Sequence, residues 1–239
     1  VLTRIQEDAE LELRIFVGGM HLSPEFGLTV DAIEADGFAI AERVEMLLGS
    51  DTPEAIAKSS GLGVVGFAQA YARSRPDILV PLGDRFEMHA AVLAALPFKI
   101  PVAHISGGEI TRGAFDDALR HCITKLSHLH FVTTEEYAVR VRQLGEELWR
   151  VTNCGSPSLD SLLPVPRESL NGLEARYGFR LDPPPLLVTF HPVTLEFEDT
   201  EWHVGELLGA LDEWGASILF TMPNADTNGR ILFKMIEVY

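Results

Sequence analysis

Short apolar runs rich in β-formers alternate with segments of helical period along nearly all 239 residues, and this rhythm restricts the fold more than any other feature. A chain that returns through a helix after each strand builds parallel pairs, because a parallel neighbour needs a long crossover. The pattern predicts an α/β fold with strands at 13–18, 43–48, 78–83, 101–105, 129–133, 150–154, 186–191 and 217–222. Helices are expected at 53–74, 86–96, 116–127, 135–144, 168–177, 201–214 and 228–237. Between residues 163 and 185 the rhythm breaks, where Pro164, Pro166 and the triple Pro183, Pro184, Pro185 bracket one short polar helix. Proline fixes φ and removes an amide donor, so the domain boundary is expected here, with units 1–163 and 164–239.

Charge narrows the partners. Acidic residues outnumber basic ones by 35 to 19, a net charge of −16, which argues against general binding of nucleic acid or of an anionic membrane. An anionic ligand must then be held by a local cluster of cations. Cys122 and Cys154 are too few for a disulfide framework and lie in no metal-ligand spacing, so a reducing cytoplasm is expected. No HExxH, Walker A loop, GxSxG elbow or strand–GxGxxG–helix unit is present, and no metal or cofactor is expected. No run approaches 18 apolar residues and no signal-peptide layout opens the chain, so it reads as soluble and unexported. The start at Val1 and the amphipathic run 229–239 predict that both ends continue in a longer protein.

In an open parallel sheet, ligands sit beyond the carboxyl ends of the strands, so the residues there are read first. Gly83-Asp84-Arg85-Phe86 places an acid and a base at a helix start, with helix capping by Asp84 as the alternative. Ser106-Gly107-Gly108-Glu109 combines glycines that admit close backbone approach with a carboxylate. The helix that follows sets Asp116 four residues before Arg120, and Asp117, His121 and Lys125 at successive four-residue steps, so acids and bases share adjoining faces. A solvated helix laced with ion pairs is the bland alternative. His191-Pro192 and Pro223-Asn224-Ala225-Asp226 end the later strands, and His21 follows the first. Each of these three is weak alone; together they mark strand ends.

The segments 18–23, 83–87, 104–109, 116–121 and 123–128, with 190–194 and 223–226, resemble the hydrolysing UDP-N-acetylglucosamine 2-epimerase family in order and spacing. The resemblance implies two Rossmann-like domains of the glycosyltransferase-B type, the second incomplete here. It implies elimination of UDP across C1 and C2 of the sugar, followed by hydration of the glycal, on a route to sialic or related nonulosonic acids. Asp84 and Asp116 match family catalytic acids, Arg120 matches a functional arginine, and His191 matches the histidine that faces UDP. His21, Arg85, Asn224 and Asp226 are expected on the substrate, and the enzyme is expected to be a homo-oligomer, a dimer or tetramer.

Ser106 stands where some members carry a glutamate, which leaves Glu109 as the nearby acid that could replace it. A cation-bearing loop before Val1 and a phosphate-binding turn after Tyr239 are family features outside this chain, so Arg85, Arg120 and Lys125 are expected to supply the positive charge at the site, and the 239 residues alone are expected not to turn over. UDP-N-acetylglucosamine is the first substrate reading and UDP-N,N′-diacetylbacillosamine the alternative. A glycosyltransferase of the same architecture, or an inactive nucleotide-sugar-binding fragment, are the readings from other classes.

Overall fold

Every strand pairing in the structure, a computed structural model, is parallel, as the strand–helix rhythm requires. Residues 1–162, 165–215 and 217–239 are described. The chain divides into two compact units, Val1–Pro157 and Ser158–Tyr239. The boundary expected at 163/164 falls outside the described residues.

In chain order the first unit runs α1 (Leu2–Glu7), β1 (Ile15–Gly18), α2 (Val30–Ala35), β2 (Ile40–Val44), α3 (Pro53–Arg73), α4 (Phe86–Ala95), β3 (Ala103–Ile105), α5 (Asp116–Leu126), β4 (Leu129–Val132), α6 (Glu135–Gln143) and β5 (Val151–Asn153). A short α7 (Pro157–Leu162) leads into the second unit, which holds α8 (Leu170–Tyr177), β6 (Leu186–Val188), α9 (Thr200–Trp214), β7 (Ile218–Phe220) and α10 (Gly229–Val238). Strand β1 pairs with β2, β3–β4–β5 form a ladder in that order, and β6 pairs with β7.

Two expected strands differ. The run 78–83 is laid parallel along β3 but only bridges it, Leu79 to Val102 and Leu82 to Ile105. Its amides at Leu79 and Gly83 donate to Pro101 and Ile105 at 2.8 and 3.0 Å, and its carbonyls at Leu79 and Pro81 accept from Ala103 and Ile105 at 2.8 and 3.0 Å. Pro81 has no amide to give, so the ladder is interrupted at its centre. Strand β2 lies at Ile40–Val44 rather than 43–48, because β1 ends at Gly18 opposite Val44. Met46 beyond it is still 3% exposed and belongs to the core. The helices α1, α2 and α7 are additions, each a six-residue stretch too short to show a 3.6-residue period.

Local chemistry starts the longer helices where the sequence signals them. Thr52 precedes Pro53 and its hydroxyl accepts the Ala55 amide at 3.3 Å, and Thr134 accepts the Tyr137 amide at 3.3 Å. The core of the first unit gathers Phe67 and Tyr71 from α3, Phe86 from α4, Ile123 from α5, and Ile100 and Val102 from the segment leading into β3. Gly61, Gly63 and Gly66 form a GxGxxG string, but it lies inside α3, not between a strand and a helix. A Cβ at Gly63 would come within 2.5 Å of Met46 and 2.9 Å of Ala90, and one at Gly66 within 2.5 Å of Val44. Gly63 and Gly66 let the helix lie close on β2 and α4. Among the described residues no helix is long and apolar enough to cross a membrane.

Candidate active site

The carboxyl ends of β1, the 78–83 segment and β3 carry the acids and bases singled out in the first unit. Gly83 adopts φ +80, a left-handed turn that glycine enters without strain, and it swings the chain from the bridged segment into α4. Asp84 does not cap that helix: the N-cap residue is Arg85, with no side-chain cap bond. The Asp84 carboxylate instead receives Nη2 of Arg120, which also donates to Thr111 Oγ1 at 3.0 Å. Arg120 is 6% exposed, and its Nε and Nη1 are buried with no hydrogen-bond partner among the described residues. Buried donors left in this way are unfavourable until an acceptor reaches them.

Asp116 is the first residue of α5 and is half-buried, one turn ahead of Arg120. The helix N-terminus favours an ionised carboxylate at this place. Asp117 beside it accepts the Thr111 amide at 2.8 Å and lies 3.7 Å from His121, so Thr111 is held at both its amide and its hydroxyl. Arg85 lies with its guanidinium 5.6 Å from the Phe86 ring centroid, and its Nε donates to Glu87 at 3.2 Å. Glu87, 5% exposed, supports the β1 loop from below: a Cβ at Gly19 would sit 2.6 Å from it. His21, exposed on that loop, shares a 2.7 Å hydrogen bond with Thr29.

Glu109 ends a loop pinned from two sides. Gly108, at φ +79, lies so close to α6 that a Cβ would meet the Tyr137 carbonyl at 2.5 Å, and its own carbonyl accepts from Arg140. The Thr133 hydroxyl donates to Glu109 at 2.9 Å. Ser106 holds a left-handed φ of +65 and its amide donates to Phe131 at 2.9 Å.

Lys125 corrects an expectation. It sits at the last turn of α5, which runs antiparallel to the strands, so it reaches the amino ends of β4 and β5 and binds Glu146. There it lines a cavity of about 520 Å³ together with Ser127, His128, Glu146, Glu147 and Arg150. His130, fully buried, meets the same carboxylate at 3.1 Å. Burial pushes Glu146 up, but the bonds from Lys125 and His130 outweigh it and hold the carboxyl below its usual range.

In the second unit His191 follows β6 and its Nδ1 lies 3.9 Å from Asp226, which is half-buried after β7. Asn224 is half-buried at the same strand end, and its carbonyl lies 2.7 Å from where a Cβ at Gly229 would stand, so the turn into α10 closes tightly on it. Among the described residues no group of three or more His, Cys, Asp or Glu is placed to hold a metal ion.

Residues that reasoning from sequence left without a role are Thr111, Thr133 and Glu87, which bond Arg120, Glu109 and Arg85, and His104 and Thr124, which share a hydrogen bond next to the Gly83 carbonyl. A signal for His104 and Thr124 was present: a histidine inside an apolar strand, and a threonine one turn beyond Arg120.

The family model described as UDP-N-acetylglucosamine 2-epimerase matches residues 3–239. The GDP/UDP-N,N′-diacetylbacillosamine 2-epimerase (hydrolyzing) of Campylobacter jejuni is 41% identical over 236 residues, which is 98% of this chain and 61% of that protein. The UDP-N,N′-diacetylbacillosamine 2-epimerase (hydrolyzing) of Legionella pneumophila is 35% identical over 239 residues, covering 100% and 63%. The UDP-N-acetylglucosamine 2-epimerase of Neisseria meningitidis is 29% identical over 240 residues, covering 100% and 62%. The chain thus spans 61–63% of the length of these relatives. The crystal structure of the Neisseria meningitidis UDP-GlcNAc 2-epimerase bound to UDP-GlcNAc superposes with a TM-score of 0.76 at 16% identity, over 98% of this chain and 64% of that one. The fold is therefore the expected α/β fold of the glycosyltransferase-B type. With a family model over almost its whole length and hydrolysing relatives at 41% and 35% identity, the chain belongs to the UDP-N-acetylglucosamine 2-epimerase family.

Proposed function

We propose that the protein carrying this chain performs hydrolysing 2-epimerisation of a UDP-2-acetamido sugar. The C2 proton passes to a carboxylate while the C1–O bond breaks and UDP leaves with the electron pair, giving a 2-acetamidoglycal. Water then adds its oxygen at C1 and a proton returns to C2 from the other face, so the product is the free epimerised sugar and UDP. The observation that carries this reading is Arg120, buried, joined to Asp84 by one nitrogen and holding two others that have no acceptor among the described residues. A carboxylate oriented in this way is ready to accept a proton, and the free edge of the guanidinium is ready for the oxygen that gains charge as the leaving group departs.

Asp116 and Asp84 are the acid–base pair in this reading, with Glu109 as a third member in the place of the glutamate absent at Ser106. His21, Arg85 and Arg120 bind substrate from the first unit, and His191, Asn224 and Asp226 bind it from the second. The reaction uses no metal or cofactor, runs in the cytoplasm and is performed by a homo-oligomer.

The choice of sugar turns on relatedness. The relatives named for UDP-N,N′-diacetylbacillosamine are 41% and 35% identical, against 29% for the Neisseria enzyme named for UDP-N-acetylglucosamine. That difference favours the diacetylated sugar as substrate, although the first reading of the sequence named UDP-N-acetylglucosamine. Nonulosonic acids of the legionaminic type are then the downstream products.

The test is incubation of the full-length gene product with each UDP-sugar. Release of UDP and the free 2-epimer is expected, with the higher kcat/KM for the diacetylated sugar. UDP release with the sugar carried intact to an acceptor makes the protein a glycosyltransferase. Asp116→Asn is expected to bind UDP normally yet to lose turnover by about 10²–10⁴, with no exchange of the C2 hydrogen for deuterium. Near-normal exchange in that variant would show that Asp116 only opens its helix, moving the base to Asp84 or Glu109.

A further inference from the structure

Beneath the Asp84 turn lies a side chain that this chemistry does not use. His104 is the middle residue of β3 and is 0% exposed, as is Thr124 on α5. Its Nε2 lies 2.7 Å from the Gly83 carbonyl and its Nδ1 lies 3.2 Å from the Thr124 hydroxyl. A carbonyl only accepts, so Nε2 carries the proton, and Nδ1 accepts from Thr124. Burial pushes the imidazole down to about 4, with the Gly83 carbonyl opposing, which favours the neutral ring these two bonds require. It is sealed from solvent.

Three chemistry-bearing segments converge on this ring. The Gly83 carbonyl and the Asp84 amide share one peptide plane, so the bond to His104 sets the plane from which Asp84 departs. Nothing lies within 4 Å of the Cβ position at Gly83, so side-chain packing does not hold the turn; its backbone bonds to Ile105 and His104 do. The Gly107 backbone rests on the same pair, since a Cβ there would stand 3.0 Å from both His104 Nδ1 and Thr124 Oγ1. Thr124 lies one turn beyond Arg120 and two beyond Asp116, so its hydroxyl ties α5 into the arrangement.

We propose that His104 and Thr124 are positioning residues, a buried brace that sets the Asp84 turn and the Gly107–Glu109 loop against α5. The proposal rests on the reading of the site given under Proposed function. A histidine suits the task because the buried Gly83 carbonyl needs a donor and a planar ring delivers it at a fixed distance, where a flexible chain would leave slack. Proton transfer tolerates little slack: displacement by about 1 Å can lower a rate by about 10².

The test uses the full-length gene product with Thr124→Val, Thr124→Ser and His104→Gln, each first checked by circular dichroism. Thr124→Val keeps the volume but removes the hydroxyl, and is expected to lower kcat by about 10–100-fold while UDP affinity stays within about threefold. Thr124→Ser restores the hydroxyl and with it the rate. His104→Gln retains a donor for Gly83, and the inflections of its kcat/KM pH profile are expected to match those of wild type. Equal rates in Thr124→Val and wild type, or equal losses in Val and Ser, overturn the brace; so does an inflection lost in His104→Gln, which would make the ring a catalytic acid or base. Should His104→Gln fail to fold, the Thr124 pair decides alone. Amide hydrogen exchange at residues 82–86 reads the brace without any reaction: it is expected to quicken about tenfold or more in Thr124→Val and to be unchanged in Thr124→Ser. That difference in a wild-type background that releases no UDP from either sugar supports the brace and refutes the proposed reaction; its absence overturns the brace.

Discussion

A single imidazole makes the stability of the first unit depend on pH in a direction that can be worked out. His104 has a folded value of about 4 against an ordinary 6.5, because burial penalises the charged ring. Between those values the unfolded chain holds a proton that the folded chain does not, so unfolding takes up a proton and stability rises with pH. The contribution is complete above pH 6.5 and disappears as pH falls towards 4, the loss amounting to about 2 kcal/mol by pH 5. His130 is lowered too, by burial, against the opposing pull of Glu146, and it adds in the same sense. Urea unfolding of the chain at pH 7 and pH 5 is expected to show this loss, and His104→Gln to flatten the slope. Stability that holds or rises between pH 7 and 5 would mean that the ring is charged in the fold.

At the scale of elements, the glycines of α3 act in opposite ways within one turn. Gly61 is exposed and nothing stands near its Cβ position, whereas Gly63 faces Met46 and Ala90. Gly61→Ala is expected to stabilise the protein by about 0.5–1 kcal/mol through helix propensity. Gly63→Ala gains the same propensity but meets the fixed Ala90 methyl, and a net destabilisation of about 1–2 kcal/mol is expected. Thermal unfolding of the two variants checks the pair, and equal shifts would show that α3 can move away from α4. The same helix shows what a sequence exposes and what it hides. Its length, its Thr52 cap and its apolar face are local properties and were legible. Which of three glycines touches a neighbour depends on the partner element, and no local pattern carries that. The 78–83 strand was legible as an apolar β-rich run, but its reduction to two bridges needed the single missing donor of Pro81 to be set opposite β3. Asp84 likewise looked as much like a cap as a reagent, because its partner Arg120 lies 36 positions away. Lys125 was misplaced for the converse reason: charge spacing along a helix says which groups share a face, and it does not say at which end of the sheet each one arrives.

The two units of the molecule differ in how much apolar surface they remove from water. The first gathers Phe67, Tyr71, Phe86, Ile100, Val102 and Ile123 into one cluster. In the second the buried apolar residues among those described are Val204, Leu211, Ala225 and Leu232, while Leu187, Trp202 and Trp214 are exposed. Because burial supplies the main favourable term in folding, the second unit is expected to open first on heating this chain. Hydrogen exchange along a temperature series checks this: amides of β6 and β7 should lose protection before those of β3 and β4, and a shared midpoint would show one cooperative unit instead. Within the first unit, α5 joins two territories that answer to different demands. Its first two turns carry Asp116 and Arg120 among the reactive groups, and its last carries Lys125 to Glu146 beneath the opposite edge of the sheet. At about 1.5 Å of rise per residue Lys125 stands about 13 Å along the helix from Asp116 but only about 7 Å from Arg120, and with the Glu146 and Arg120 side chains both buried the two ends stay within electrostatic reach of one another. Loss of the Lys125 charge is therefore felt first by the buried Glu146 carboxylate and by His130 on the same group, and more weakly by the guanidinium one turn and a half back along the helix.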